Sequence, residues 1–424
     1  MNKFGFIRVG ACSPKLKVAD VDYNVEEIIA QIEFAQSEGV KILVFPELCI
    51  TAYSCGDLFH QDVLIEKSLQ GLDCIVKSSV DCDMAIIIGM PLITNAKMFN
   101  VAVVISSGRI LGVVPKTFIP NSKEFYEARW FCSSRQNDSQ NIDLIGQSVP
   151  FGTDILFRAG KVVFGVEICE DLWALTPPSN HLLALGANLI FNLSASNETV
   201  AKKEYRKSLV KMQSAKGFCG YIYASCGAGE STTDLIFSGH LMIAENGVML
   251  ENKEDITFLS SHIIADIDIK RMNNEKVKNN SYLPYLETSS HRIIDFEIKK
   301  HQDDIIRTYP KTPFVPLEKQ EVNKRCSEIF SMQAYALAKR LMHIKVPKVV
   351  VGISGGVDSA LALLVCIKAY EILGRDRKNI IAITMPGFGT TKKTYNSSSK
   401  LITALGATFK EINIKNLVKC ILQI

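Results

Sequence analysis

Apolar residues in the first two thirds of the chain alternate between short unbroken runs and helical stripes. Runs at 42–45, 85–88, 101–105, 162–168 and 189–192 predict buried strands, as does the N-terminal segment 1–9. Val25, Ile28, Ile29, Ile32 and Ala35 recur at helical spacing, with Gly39 as the expected stop. Tyr205, Leu209, Met212 and Ala215 form a second stripe, closed by Gly217. Strands alternating with helices predict an α/β domain over residues 1–269. From 270 to 317 the chain turns polar, with prolines at 284, 310, 313 and 316, and reads as a linker partly ordered against its neighbours. A third part begins at 318. Val322, Cys326, Ile329, Phe330, Leu337 and Leu341 mark a helix that leads into a strand at 349–353. Further strands are expected at 380–385 and 409–414, and 417–424 looks like the start of a helix.

Composition narrows the class. The 424 residues are 47% hydrophobic and 22% charged, which is the balance of a folded chain with room for more than one core. A net charge of +4 gives no argument for a nucleic-acid partner. No apolar run approaches the ~20 residues of a membrane span. The twelve cysteines hold no Cys-x-x-Cys pair, so reduced thiols and a cytoplasmic location are expected. The seven histidines show no metal spacing.

Chemistry concentrates at strand ends. The strand at 349–353 runs into Ser354-Gly355-Gly356-Val357-Asp358-Ser359 and then an apolar helix. Paired glycines, flanking hydroxyls and the free N–H groups of a helix start make an anion cradle. No Gly-Lys-Ser/Thr closes the loop, so it is not a Walker A sequence. In the first part, Cys169 follows the strand 162–168, Glu47 follows 42–45, and Lys116 follows Val113-Val114-Pro115. A lone cysteine among twelve would more often be packing. An ammonium that favours thiolate and faces an oxyanion, with a carboxylate that carries protons, gives the three together a nucleophilic chemistry.

The SGGVDS loop resembles the pyrophosphate loop of the ATP pyrophosphatase superfamily. Glu47 in PELCITAY, Lys116 in PKTFIPN and Cys169 in EICEDLW resemble the Glu–Lys–Cys triad of the nitrilase superfamily, in order and local context. Glu127 in FYEARWF matches the second glutamate many members carry; the bland alternative is a solvated helix face. Joined in one chain, the two halves resemble the glutamine-dependent NAD+ synthetases. LSASNETVAKKEYR, SCGAGESTTDLIFSGH and the PGFGTT segment starting at Pro386 add to the likeness.

The resemblance implies an N-terminal αββα sandwich followed by a doubly wound parallel α/β domain of the adenine-nucleotide hydrolase type. It implies glutamine hydrolysis through a Cys169 thioester, with ammonia passed on to deamido-NAD+ adenylated by ATP, giving NAD+, AMP and pyrophosphate. Ser354, Gly355, Gly356, Val357 and Ser359 would hold ATP phosphates, and Asp358 would bind Mg2+. Tyr53, Glu170 and Ser196 would contact glutamine, although packing or capping would explain each equally well. Lys202, Lys203 or Arg206 would meet its carboxylate, a choice the sequence leaves open; Lys202 is the first candidate. Self-association is expected from the family. The second domain, 318–424, carries only three expected strands and resembles the N-terminal part of the family's synthetase domain, as in a truncated enzyme. Apolar residues of its last segment, Leu417, Val418, Ile421 and Leu422, are expected to be exposed. Two alternatives follow: a glutaminase with a vestigial tail, and a remnant that only binds a subunit or nucleotide.

Overall fold

After a short turn at residues 3–4, Phe6–Ser13 form a strand that is buried throughout. A computed structural model describes residues 1–282, 291–299 and 304–422. Its contacts divide the chain into two units, Met1–Arg307 and Thr308–Ile424.

The first unit contains β1 (Phe6–Ser13), α1 (Val21–Ser37), β2 (Ile42–Val44), α2 (Asp62–Ser78), β3 (Ala85–Thr94), β4 (Lys97–Ser106) and β5 (Arg109–Pro115). It continues with β6 (Asn141–Leu144), β7 (Gln147–Pro150), β8 (Ile155–Ala159), β9 (Val162–Ile168), α3 (Pro178–Ala184), β10 (Leu189–Ser194) and α4 (Lys202–Gly217). The last elements are β11 (Gly220–Ser225), β12 (Leu241–Glu245), β13 (Val248–Lys253), β14 (Ser261–Asp268), α5 (Ile269–Lys278) and β15 (Arg292–Asp295). One sheet runs β14-β1-β2-β3-β4-β5 and the other β13-β12-β11-β10-β9-β8-β15. The inner faces meet in one core, where Val9, Val44 and Ile87 pack with Phe164, Phe191 and Ile222. The outer face of the first sheet is covered by α1 and α2, and that of the second by α3 and α4. This is the expected αββα sandwich. Strands covered on both faces need no polar alternation, which is why they read as plain apolar runs.

In α1 the stripe works as expected. Asp20 caps Tyr23 N–H, Val25, Ile28, Ile32 and Ala35 are buried, and Gly39 turns the chain at φ +74°. In α4 it does not. Tyr205 and Met212 are 59% and 67% exposed, whereas Arg206, Val210, Gln213, Ser214 and Gly217 face inward. The buried Arg206 is anchored by Glu198 at 2.6 Å and the Asn197 carbonyl at 3.1 Å, so a polar anchor overrides the apolar periodicity. The helix does end at Gly217, as expected, but Gly217 is not its left-handed cap. Phe218 takes the left-handed position at φ +45°, and Gly217 is small because a Cβ there would lie 2.5 Å from Leu183 Cδ1.

The stretch expected as a linker carries structure of the first unit. Helix α5 buries Ile269 and Met272, and β15 adds to β8 in parallel register. Arg292 pairs with Asp154 and Arg307 with Glu245. Pro284 lies outside the described residues.

The second unit holds α6 (Lys319–Ile344), β16 (Val349–Gly352), α7 (Val357–Ile372), β17 (Ile380–Thr384), α8 (Lys392–Ala404), β18 (Thr408–Glu411) and α9 (Lys415–Leu422). The strands form a parallel sheet ordered β16-β17-β18. Its core gathers Leu341, Ile353, Leu363, Ile367, Tyr370 and Ile402. Helix α6 stands where Val322 to Leu341 predict one; Cys326 and Ile329 are exposed, and Ala334, Ala338 and Leu341 are its buried face. Ile421 is 61% exposed, while the side chains of Leu417 and Leu422 lie outside the described residues. Among the described residues, no helix is long and apolar enough to cross a membrane.

Candidate active site

Strand β9 delivers Cys169 to a turn that few side chains tolerate. Its φ is +48°, and a single helical turn, Cys169–Trp173, follows. A non-glycine residue held left-handed at a strand end is a strained backbone arrangement of the kind that nucleophiles occupy. Asp171 fixes this turn. Its carboxylate accepts N–H bonds from Ile168 at 3.0 Å, Thr117 at 3.1 Å and Phe118 at 2.8 Å. It therefore ties the end of β9, in one sheet, to the segment after β5, in the other.

That segment begins with Lys116, which is fully buried. Its Nζ donates to Glu47 Oε1 at 2.5 Å and to both oxygens of Glu127 at 2.8 Å. Glu47 stands beyond β2 and also accepts from Asn100 Nδ2 at 2.6 Å. Asn100, on β4, takes the Lys116 N–H with its own carbonyl at 2.9 Å, so it locates both partners. Glu127 accepts the Tyr53 hydroxyl at 2.8 Å. Glu47 Oε2 is buried and has no hydrogen-bond partner among the described residues.

Electrostatics follows from burial. Burial alone would push the Lys116 ammonium down, but Glu127 and Glu47 outweigh it and hold the pKa well above the usual lysine range. Burial lifts the Glu127 carboxyl to about 7, against the pull of Lys116. The Cys169 thiol is raised by burial and then by Glu47, with Lys116 opposing, so it rests protonated. The arrangement is a buried thiol beside one cation and two carboxylates, one of which has an idle oxygen.

The residues expected to contact substrate are distributed around this cluster. Tyr53 lines a cleft of about 210 Å³ with Ser54, Glu124, Phe125, Trp130 and Leu235. Glu170 is half-buried, and burial raises its carboxyl while Lys116 and Lys202 lower it. Ser196 is buried, with its N–H on Ser225 Oγ at 3.2 Å. The three basic candidates now separate. Lys203 is exposed and pairs with Glu254, and Arg206 is committed to Glu198 and Asn197. Lys202 is half-buried, donates to Asn197 Oδ1, and sits over the rings of Phe125 and Trp173 at 5.5 and 5.6 Å. Burial lowers its pKa, and the Cys169 site opposes that shift.

Asn100, Asp171, Gly89 and Glu230 belong to the same construction without having been visible as such. Gly89, on β3, lets the Glu47 segment cross: a Cβ there would lie 2.3 Å from Leu48 N and 2.7 Å from Pro46 O. Glycine in an apolar strand was the available signal.

In the second unit, the loop after β16 is built as a cradle. Gly355 has φ +88°, and a Cβ there would meet Thr394 O at 2.6 Å. Ser354 Oγ accepts the Gly356 N–H at 3.3 Å and lies 3.2 Å from Ser359 Oγ. Val357 starts α7, Asp358 sits in its first turn, and both are exposed. Among the described residues, no cluster of three or more His, Cys, Asp or Glu could hold a metal ion.

The carbon-nitrogen hydrolase family model matches residues 8–274. The chain belongs to the carbon-nitrogen hydrolase family. An NAD synthase model matches residues 329–424 of this family member. The glutamine-dependent NAD(+) synthetase of Mycobacterium tuberculosis is 36% identical over 429 residues, covering 99% of this chain and 63% of its own length. That of Aquifex aeolicus is 26% identical, covering 95% of this chain and 65% of its own length. The chain thus spans less than two thirds of the length of these curated relatives. Among solved structures, a glutamine-dependent NAD(+) synthetase from Cytophaga hutchinsonii matches with a TM-score of 0.55 at 22% identity, over 98% of this chain and 66% of its own. An amidase from Nesterenkonia sp. matches with a TM-score of 0.51 at 14% identity, over 65% of this chain and 95% of its own. These two show likeness of fold.

Proposed function

We propose that this carbon-nitrogen hydrolase hydrolyses glutamine at Cys169 and serves a glutamine-dependent NAD+ synthetase, in which the ammonia amidates deamido-NAD+. The observation that carries the reading is the closed Glu47–Lys116–Glu127 cluster at the Cys169 turn, in one chain with the SGGVDS cradle.

The chemistry runs through groups in place. Glu47 takes the Cys169 proton as sulfur attacks the amide carbon, and the developing oxyanion faces the Lys116 ammonium. Glu47 then gives the proton to the leaving nitrogen, and ammonia departs from a thioester. Water, deprotonated by Glu47, attacks the thioester; glutamate leaves and the proton returns to sulfur. Glu127 holds Lys116 in position. Tyr53, Glu170 and Ser196 line the substrate's path, and Lys202 receives its α-carboxylate. In the second unit, Ser354 to Ser359 would cradle the pyrophosphate of ATP. Asp358 offers one hard oxygen ligand, which suits Mg2+ when phosphate oxygens supply the others. Bound Mg2+ would neutralise phosphate charge.

Purified chain given glutamine is expected to release glutamate and ammonia in equal amounts; no release above background would sink the reading. Gly89→Ala should cut this turnover by about 100-fold with little loss of secondary structure, because the obstructing atoms are backbone and Glu47 must move. Rates and circular dichroism check this together.

The 424-residue polypeptide by itself is expected to make no NAD+ from deamido-NAD+, ATP, Mg2+ and added ammonium. Ser354, Gly356, Val357 and Asp358 are exposed, and an acyl-adenylate open to water is hydrolysed. Weak ATP binding that Asp358→Ala reduces only when Mg2+ is present is the expected residue of function. NAD+ and AMP formed in equal amounts would overturn this prediction.

A further inference from the structure

The segment Tyr53–His60 begins with an awkward start. Its preceding residue, Ala52, is left-handed at φ +68° and offers no side-chain cap. The first N–H groups of a helical segment need acceptors from somewhere. They find them in Glu230, from a distant loop. The Glu230 carboxylate accepts the Tyr53 N–H at 3.0 and 2.9 Å and the Ser54 N–H at 3.2 Å. Ser54 Oγ returns a bond to the Glu230 carbonyl at 2.8 Å. The carboxylate is 1% exposed, and none of the proton-transfer steps uses it.

The loop that follows Glu230 is braced on itself. Thr232 N–H donates to the Leu235 carbonyl at 2.9 Å, and Ser231 Oγ accepts the Phe237 N–H at 3.2 Å. The Phe237 ring meets Tyr53 edge-on at 6.0 Å. On one side of the cleft stand Tyr53 and Ser54; Thr232, Asp234 and Leu235 also line it. Glu230 lies at the root of both walls. Gly229 seats it tightly, since a Cβ there would lie 2.5 Å from Leu16 O.

We infer that Glu230 is a positioning residue that clamps the two walls of the substrate cleft and, through Tyr53, holds Glu127 against Lys116. It caps a helical start across space rather than along the chain. Its bonds to Tyr53 N–H fix the backbone, and the Tyr53 hydroxyl then fixes Glu127. The substrate side of this assignment rests on the glutamine reading.

Two measurements test it. Hydrogen–deuterium exchange of Glu230→Gln should accelerate in peptides containing Tyr53 and Ser54 and in those spanning 231–236, with α1 and β10 unchanged. This arm needs no turnover, so it stands even if the chain does not hydrolyse glutamine. Unchanged exchange at Tyr53 and Ser54 overturns the clamp. If the chain does hydrolyse glutamine, Glu230→Gln should raise KM about tenfold and lower kcat by about the same factor, because the cleft walls and, through Tyr53, the Glu127–Lys116 contact both loosen. Combined with Tyr53→Ala, it should cost no more than Tyr53→Ala alone, because it acts through Tyr53. Fully additive losses, or an unchanged KM, overturn the assignment. Should Glu230→Gln fail to fold, Glu230→Asp, which keeps the charge but shortens the reach, carries the same measurements.

Discussion

Cys169→Ala is expected to abolish glutamine hydrolysis, with a loss of about 10⁴-fold or more and no loss of fold. Alanine has no nucleophile, so no thioester forms and the remaining groups have nothing to activate. The turn itself should survive. Its left-handed residue costs alanine about what it costs cysteine, and the three N–H bonds to Asp171 do not involve the Cys169 side chain. Glutamate release and thermal unfolding of the variant check both halves of the statement. Cys74→Ala, at an exposed cysteine on the outside of the fold, is the matched control and should keep wild-type turnover. A Cys169→Ala chain that still releases ammonia at near wild-type rate would place the nucleophile elsewhere.

The strand ends were readable because three kinds of signal coincided there. A buried strand reads as an apolar run, and a charged or nucleophilic residue just past it breaks the run. Glu47, Lys116 and Cys169 each stand at such a break, and the fold brings Lys116 to both carboxylates. The cradle was legible for the same reason, since β16, Gly355 and α7 are local in sequence.

What escaped depends on distant partners. Arg206 faces inward on α4 because Glu198 and Asn197 wait for it, which no periodicity of α4 reveals. Asp171 looked like one acid in a run of two beside Cys169, yet it bolts the Cys169 turn to the Lys116 segment. Gly89 is a small residue in an apolar strand until Pro46 and Leu48 pass over it. The polar stretch after residue 270 reads as a linker because its buried apolar residues, such as Met272, are few and scattered, and long-range ion pairs such as Arg307 with Glu245 also hold it.

Lys116→Arg should damage turnover nearly as much as Lys116→Ala, each by about 10³-fold, though for different reasons. The wild-type ammonium fits between Glu47 Oε1 at 2.5 Å and both Glu127 oxygens at 2.8 Å, with no solvent exposure. A guanidinium is planar, wider and longer, so it must push one carboxylate aside. The charge then survives while the geometry that faces an oxyanion does not. Arginine retaining more than a tenth of the wild-type rate would mean that Lys116 supplies only diffuse charge. Alanine instead leaves two buried carboxylates with no cation. Breaking a buried pair in this way costs about 3–5 kcal/mol of stability. The sign with pH is fixed by Glu127, whose carboxyl already stands at about 7 in the folded protein against an ordinary 4.5. Removing the ammonium that pulls it down raises it further. A group whose pKa is raised on folding keeps its stability below the unfolded value and loses it as pH rises through the folded one. The deficit of Lys116→Ala relative to wild type should therefore be larger at pH 8 than at pH 5. In the wild type the raised Lys116 pKa keeps the ammonium charged across that interval. Thermal unfolding of both proteins at the two pH values decides it, and equal deficits would show that the paired carboxylates are not what Lys116 holds together.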